Sequence, residues 1–171
     1  LAIPYRFIAF VITDGLMRDL NMNAMQISEE STTADRAKLL YTAKAHTTGG
    51  RDGGSSLTSD GRLDVRFSLP SGPDDGTNPE QLFTAAWSGC YRSEIKRVAT
   101  KMGVELPVSP VIDAEVDLWE GDDGCFLCAR INVNLPRIDR EIARSMLEGA
   151  HQTCPYSKAT QGNINTEINL V

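Results

Sequence analysis

Thr77-Asn78-Pro79-Glu80-Gln81-Leu82-Phe83-Thr84-Ala85-Ala86-Trp87-Ser88-Gly89-Cys90 is the stretch on which the fold reading turns. It opens with a side chain that can cap, a proline that has no N–H to donate, and an acid in the first turn. Those are the marks of a helix N-terminus. Apolar residues recur at Leu82, Ala86 and Cys90, and Tyr91, Ile95, Val98 and Met102 continue the face until Gly103. The spacing predicts one long helix ended by a glycine. Its first half is apolar around much of its circumference, so burial of that half is expected.

Strand patterns surround this helix. Upstream, Tyr41–Thr47 alternates apolar and polar, as a half-buried strand does. The run Gly49-Gly50-Arg51-Asp52-Gly53-Gly54 reads as a loop free to take positive φ. Leu57 sits in a short strand, Asp60-Gly61 reads as a hairpin turn, and Arg62–Leu69 alternates again. Its face is Leu63, Val65, Phe67 and Leu69, and Pro70–Gly76 is a polar loop. Downstream, Val111–Trp119 and Cys125–Leu135 are strands joined by the Gly-Asp-Asp-Gly turn at 121–124. Asp139 can cap a second helix with Ile142, Met146 and Ala150 on its inner face. Pro155 biases Cys154 away from helical ψ and should stop that helix there. Ile164, Thr166, Ile168 and Leu170 form a last strand. The expected order is β-β-β-α-β-β-α-β. Hairpins with only two helices indicate an α+β class, not a doubly wound sheet.

Composition narrows the function. The 171 residues hold 41% apolar and 23% charged positions, a globular balance for one domain or one domain plus a tail. Lys and Arg number 17 against 23 Asp and Glu, a net charge of −6. That acidity argues against nucleic acid or an anionic membrane as the main partner. No apolar run reaches the roughly 18 residues of a membrane span. Phe7–Ile12 behind Arg6 resembles a weak signal peptide, but Asp14 cuts it short and no small-x-small site follows. Residues 1–38 are therefore expected to be an extension, disordered or from a misassigned start, with Gln26–Lys38 as linker.

Four cysteines are too few for a disulfide scaffold and enough for a redox or metal site. In the metal reading, Cys125 and Cys128 with His151 and Cys154 supply three thiolates and an imidazole, a set that suits zinc. Against it, Cys125 and Cys128 fall on a strand, where residues three apart point to opposite faces. The pair then reads as small buried apolar residues. In the redox reading, Cys90 and Cys154 are a thiol pair, and a reactive thiol needs positive charge nearby; without it, Cys90 is a free cysteine acting as buried filler. Arg51, in its glycine loop, can supply it or can be a solvated loop cation. Glu80 can orient the guanidinium through a bidentate pair or simply complement the helix terminus. His151 reads as a partly buried helix residue, not a base.

The block Thr77–Cys90 resembles the first signature of the organic hydroperoxide resistance (Ohr) family, within the OsmC/Ohr superfamily. His151-Gln-Thr-Cys154-Pro-Tyr-Ser-Lys-Ala-Thr-Gln-Gly-Asn-Ile164 and Leu40-Tyr-Thr-Ala…Thr48-Gly-Gly-Arg51-Asp-Gly53 match further motifs in the family's order. The resemblance covers residues 39–171, and Cys-Pro-Tyr-Ser is similar to the Ohr branch in particular. It implies a cytoplasmic thiol peroxidase domain that reduces organic hydroperoxides to alcohols in oxidative-stress defence. It also implies an intertwined homodimer with two central helices, interface sites, and a dihydrolipoyl group on a lipoylated protein as reductant. Matched residue by residue, Cys90 is the peroxidatic cysteine, Cys154 the resolving one, Arg51 the catalytic arginine and Glu80 its acid partner. No metal or organic cofactor is needed. The chain departs from the family at Tyr91-Arg92-Ser93-Glu94, where an apolar stretch is usual. An OsmC-branch peroxidase, a zinc-stabilised binding module and a redox sensor remain the rival readings.

One distance limits any site built from these residues. Glu80 and Cys90 are ten residues apart, about 15 Å along a continuous helix. A single cluster of Arg51, Glu80 and Cys90 therefore needs a helix that starts late or breaks, or a second subunit.

Overall fold

The computed structural model describes residues 37–72 and 75–171. Expectations for the apolar stretch at 7–12 and for most of the 1–38 extension lie outside the described residues. The chain divides into two units, Leu1–Thr42 and Ala43–Val171. Within the first, residues 37–42 are exposed and without regular structure.

The second unit holds two three-stranded sheets. In the first, β1 (Ala45–Thr48) pairs antiparallel with β2 (Ser55–Thr58), and β2 with β3 (Asp64–Arg66). The expected strand from Tyr41 is shorter because its partner runs out: Ala45 faces Thr58, and the chain then turns. The Thr47 and Ser56 hydroxyls meet at 2.9 Å across that pair. The alternating run Arg62–Leu69 is likewise cut to β3, with Leu63 and Leu69 exposed.

The long helix forms as expected. In α1 (Pro79–Met102), the Gln81 N–H donates to Asn78 Oδ1 at 2.8 Å and the Asn78 N–H to Gln81 Oε1 at 3.2 Å. This reciprocal box satisfies two of the orphan donors at the helix start. Gly103, at φ 68°, ends the helix in the left-handed region. The expected burial of its first half is corrected. Leu82 is half-buried and Ala86 exposed, whereas Trp87, Tyr91, Ile95, Val98 and Ala99 are buried. Steps of four and three residues keep that second set on one face.

The second sheet is the hairpin β4 (Val111–Gly121) and β5 (Gly124–Asn134), with β6 (Asn165–Leu170) parallel to β5. Period-two alternation puts Ala129, Ile131 and Val133 into the core beside Ile112, Ala114, Ile168 and Leu170. Helix α2 (Arg140–Thr153) starts at Asp139, whose carboxylate accepts the Glu141 and Ile142 N–H groups at 2.9 and 3.2 Å. Its inner face is Ala143, Met146, Leu147 and Ala150, and Ile142 lies outside it, contrary to expectation. Gly149 permits close approach to α1, since a Cβ there would stand 3.2 Å from Val98 Cγ1.

The α+β class is borne out, with one helix more than expected. Pro155 does end α2 at Cys154, but it also opens α3 (Pro155–Thr160), because proline is favoured at a first helical position. Two buried hydrogen bonds lock the helices: Tyr91 Oη donates to the Leu147 carbonyl at 2.7 Å, and Trp87 Nε1 to Ser157 Oγ at 3.1 Å. Among the described residues, no helix is long and apolar enough to cross a membrane.

Candidate active site

The two central cysteines reach each other by different routes. Cys90 sits midway along α1 and is half-buried. Cys154 is fully buried at the joint where α2 stops and α3 begins. Its φ of −65° and ψ of 124° are the extended geometry that a following proline demands. There the Cys154 thiol donates to Cys90 Sγ at 3.6 Å, with both cysteines free. A disulfide of about 2.05 Å needs those sulfurs to close by only ~1.5 Å.

The environment of Cys90 in the single chain holds its thiol protonated. Burial pushes it up first, then the adjoining Cys154 sulfur and the Glu94 carboxylate, while the Tyr156 peptide N–H pulls it down. Among the described residues, no cation acts on it.

Arg51 lies elsewhere. Gly49, at φ 69°, and the Gly54 N–H bond to the Gly50 carbonyl at 2.8 Å curl the loop tightly. The curl presents Arg51 to the start of α1, where Nη2 donates to Glu80 Oε1 at 2.5 Å. Beside this ion pair runs a cleft of about 610 Å³ between α1 and β4, lined also by Gln81, Thr84, Ala114 and Val116. The structure thus brings the four expected residues together as two pairs, Arg51 with Glu80 and Cys90 with Cys154. It does not bring them into one cluster. Helix α1 is continuous between Glu80 and Cys90, so the pairs stand about 15 Å apart along it.

The other expectations sort as follows. Cys125 is exposed and Cys128 half-buried on β5, which corrects their reading as buried filler. They lie near the turn of the hairpin, opposite Glu120 and Asp117. Among the described residues, no group of three or more His, Cys, Asp or Glu side chains is placed to hold a metal ion. His151 is half-buried on α2, with its Nδ1 buried and without a hydrogen-bond partner among the described residues.

Sequence reasoning missed the polar groups around the thiols. Glu94 Oε2 accepts from Arg97 Nε at 2.8 Å and from Thr153 Oγ1 at 3.0 Å. Its position one turn past Cys90 was a usable signal. The Tyr156 N–H was not, since the turn that aims a peptide group leaves no side-chain pattern.

A two-sheet α+β fold with facing thiols at a helix centre and a helix joint defines a class of small thiol proteins. Comparison with known proteins gives the class its family. The OsmC-like protein family matches residues 72–169. The organic hydroperoxide resistance protein of Xanthomonas axonopodis pv. citri is 38% identical over 141 residues, covering 80% of this chain and 99% of that one. Organic hydroperoxide resistance protein OhrB of Bacillus subtilis is 37% identical over 136 residues, covering 77% and 98%. The crystal structure of that OhrB superposes with a TM-score of 0.73 at 35% identity, covering 78% of this chain and 100% of that one. The chain belongs to the OsmC/Ohr superfamily and is similar within it to the organic hydroperoxide resistance proteins.

Proposed function

We propose that the chain is a cysteine-based thiol peroxidase that reduces alkyl and fatty-acid hydroperoxides and serves defence against oxidative stress. The observation that carries this reading is the 3.6 Å separation of the Cys90 and Cys154 sulfurs. The Cys90 thiolate attacks the distal peroxide oxygen. The O–O bond breaks, an alcohol leaves, and Cys90 becomes a sulfenic acid. The Cys154 thiol condenses with it, forming the disulfide and releasing water. A dihydrolipoyl group on a lipoylated protein then reduces the disulfide by exchange, regenerating both thiols. No metal or organic cofactor takes part.

The protonated state of Cys90 in the single chain supports assembly as a homodimer, with each site at the subunit interface. The two pairs on α1 are too far apart to meet within one chain. A second copy can bring the partner's Arg51, oriented by the partner's Glu80, against Cys90, where it stabilises the thiolate and polarises the O–O bond. Half-buried Phe83, tilted against Trp87 and Tyr156, offers an apolar wall for an alkyl chain.

The test is turnover of tert-butyl and cumene hydroperoxide with dihydrolipoamide, run beside thioredoxin. Cys90→Ser should abolish it, and activity retained in that variant overturns the assignment. Cys154→Ser should allow one oxidation and then stall. Arg51→Ala should move Cys90 alkylation to higher pH, and an unchanged profile removes Arg51 from the mechanism. A disulfide that forms without multiple turnover would favour a redox sensor.

A further inference from the structure

We propose that Glu94 is a positioning residue for the resolving step: its carboxylate ties Thr153, the last residue of α2, to α1 and so holds the Cys154 sulfur in register with Cys90. The inference rests on the peroxidase reading above.

The tie is short and partly sheltered. Glu94 follows Cys90 by one helical turn, so the two side chains share a face. Its side chain is 15% exposed, Oε2 accepts from Arg97 Nε and from Thr153 Oγ1, and Arg97 Nη2 pairs with it at 2.6 Å. Arg97 neutralises and orients the carboxylate on its own helix, and Thr153 is the contact that crosses to α2. The threonine hydroxyl has one proton, and it also stands 2.8 Å from the Gly149 carbonyl. Without Glu94 it would turn back onto that carbonyl, as helical threonines do. An ionised carboxylate is the stronger acceptor and draws the bond across.

The place of the tie gives it its function. Thr153 immediately precedes Cys154, whose N–H makes the last helical bond of α2, to the Ala150 carbonyl at 2.8 Å. Beyond it the backbone leaves the helix. The Tyr91 bond to Leu147 fixes α2 some two turns earlier, and the Glu94 bond fixes the joint itself. A negative charge one turn from Cys90 opposes thiolate formation there. Its contribution is therefore mechanical. Glu94 also lies within the Tyr91–Glu94 segment, where an apolar stretch would leave Thr153 no such acceptor.

Two reactions compete for the Cys90 sulfenic acid. Condensation with the Cys154 thiol gives disulfide and water. Attack on a second hydroperoxide gives sulfinic acid and an alcohol. Positioning of Cys154 accelerates only the first. Losing one bond to a charged acceptor should shift the partition roughly tenfold.

The experiment compares the wild-type chain with Thr153→Val, Glu94→Ala, Glu94→Gln and the Glu94→Ala/Thr153→Val double variant. Mass spectrometry reads the ratio of disulfide to Cys90 sulfinic acid against cumene hydroperoxide excess. Equilibration with reduced and oxidised glutathione reads the stability of the Cys90–Cys154 disulfide without any peroxide. Thr153→Val and Glu94→Ala should each raise overoxidation about tenfold and weaken the disulfide by a similar factor. The double variant should be no worse than either single one. Glu94→Gln, which keeps an acceptor without the charge, should restore most of both. Wild-type behaviour in Thr153→Val and Glu94→Ala overturns the inference, as does a Glu94→Gln variant as defective as Glu94→Ala. If the wild-type chain itself neither turns over hydroperoxide nor forms the disulfide in glutathione, the peroxidase reading fails. If it does both and the variants match it, the positioning role alone fails.

Discussion

Replacing Gly54 by alanine should disable the protein through crowding alone. Gly54 does not have positive φ, so conformational freedom is not what it supplies. What it supplies is space: a Cβ there would stand 2.5 Å from the Thr48 carbonyl oxygen, 2.6 Å from the Gly50 oxygen and 2.7 Å from the Gly50 nitrogen. Ordinary contact begins near 3.4 Å, so the backbone must move by about 0.9 Å. That movement breaks the Gly54 N–H bond to Gly50 and the Phe67 N–H bond to Gly54, both 2.8 Å. At ~1 kcal/mol for each bond and ~1 kcal/mol or more for overpacking, the cost is about 3 kcal/mol. A typical domain is stable by ~5–15 kcal/mol, so the variant should still fold. Arg51, three residues away, would lose its aim at Glu80, and a displacement of ~1 Å can cost ~100-fold in turnover. Urea unfolding followed by circular dichroism gives the first quantity, and steady-state turnover of cumene hydroperoxide with dihydrolipoamide gives the second. A Gly54→Ala protein that unfolds at the wild-type urea concentration and turns over at the wild-type rate would refute this reasoning.

Three further outcomes are expected. Tyr91→Phe should cost ~1 kcal/mol in urea unfolding by removing the bond to Leu147. It should also flatten alkaline unfolding: burial raises the folded-state phenol above its ordinary value of 10.0, so its contribution is present below pH ~10 and lost as pH rises further. Ser157→Ala should cost ~1–3 kcal/mol, because Trp87 Nε1 is left buried without an acceptor; an unchanged urea midpoint would contradict the geometry. Cys125→Ser/Cys128→Ser should leave turnover, thermal unfolding and metal content by mass spectrometry unchanged, and loss of bound zinc with loss of fold would revive the zinc reading.

Local chemistry made most of the fold readable. Asn78-Pro79-Glu80 announces the start of α1, Gly103 its end, and Asp139 the start of α2, because capping groups act within a few residues of themselves. The buried side of α1 was less readable. Its first half is apolar nearly all round, and only α2, α3 and the second sheet select Trp87 over Ala86. Helix α3 escaped because a proline that stops one helix can begin another, and six residues leave no period to detect. Cys125 and Cys128 read as buried because strand periodicity marks which residues share a face, not whether that face is covered beside the Gly121–Gly124 turn. Motif resemblance named all four candidate site residues; helix arithmetic left a late start, a break or a second subunit open, and the continuous α1 removes the first two. The Thr153–Glu94 contact joins positions 59 apart, and no local rule reaches across that interval.

Helix α1 also makes the count of residues between Glu80 and Cys90 a constraint in its own right. One end of that interval is fixed by the Asn78 cap and the Arg51 pair, the other by Cys154. Deleting or inserting one residue would turn Cys90 by about 100° and shift it by ~1.5 Å. Two added turns would restore its direction but carry it ~10 Å too far. No loop lies within the interval to absorb either error. The number of residues from 81 to 89 should therefore be the same in related chains, quite apart from what Gln81 supplies to the cap and Trp87 to the core. Differences in length between such chains should collect beyond Gly103, on the far side of the helix terminus from both anchors.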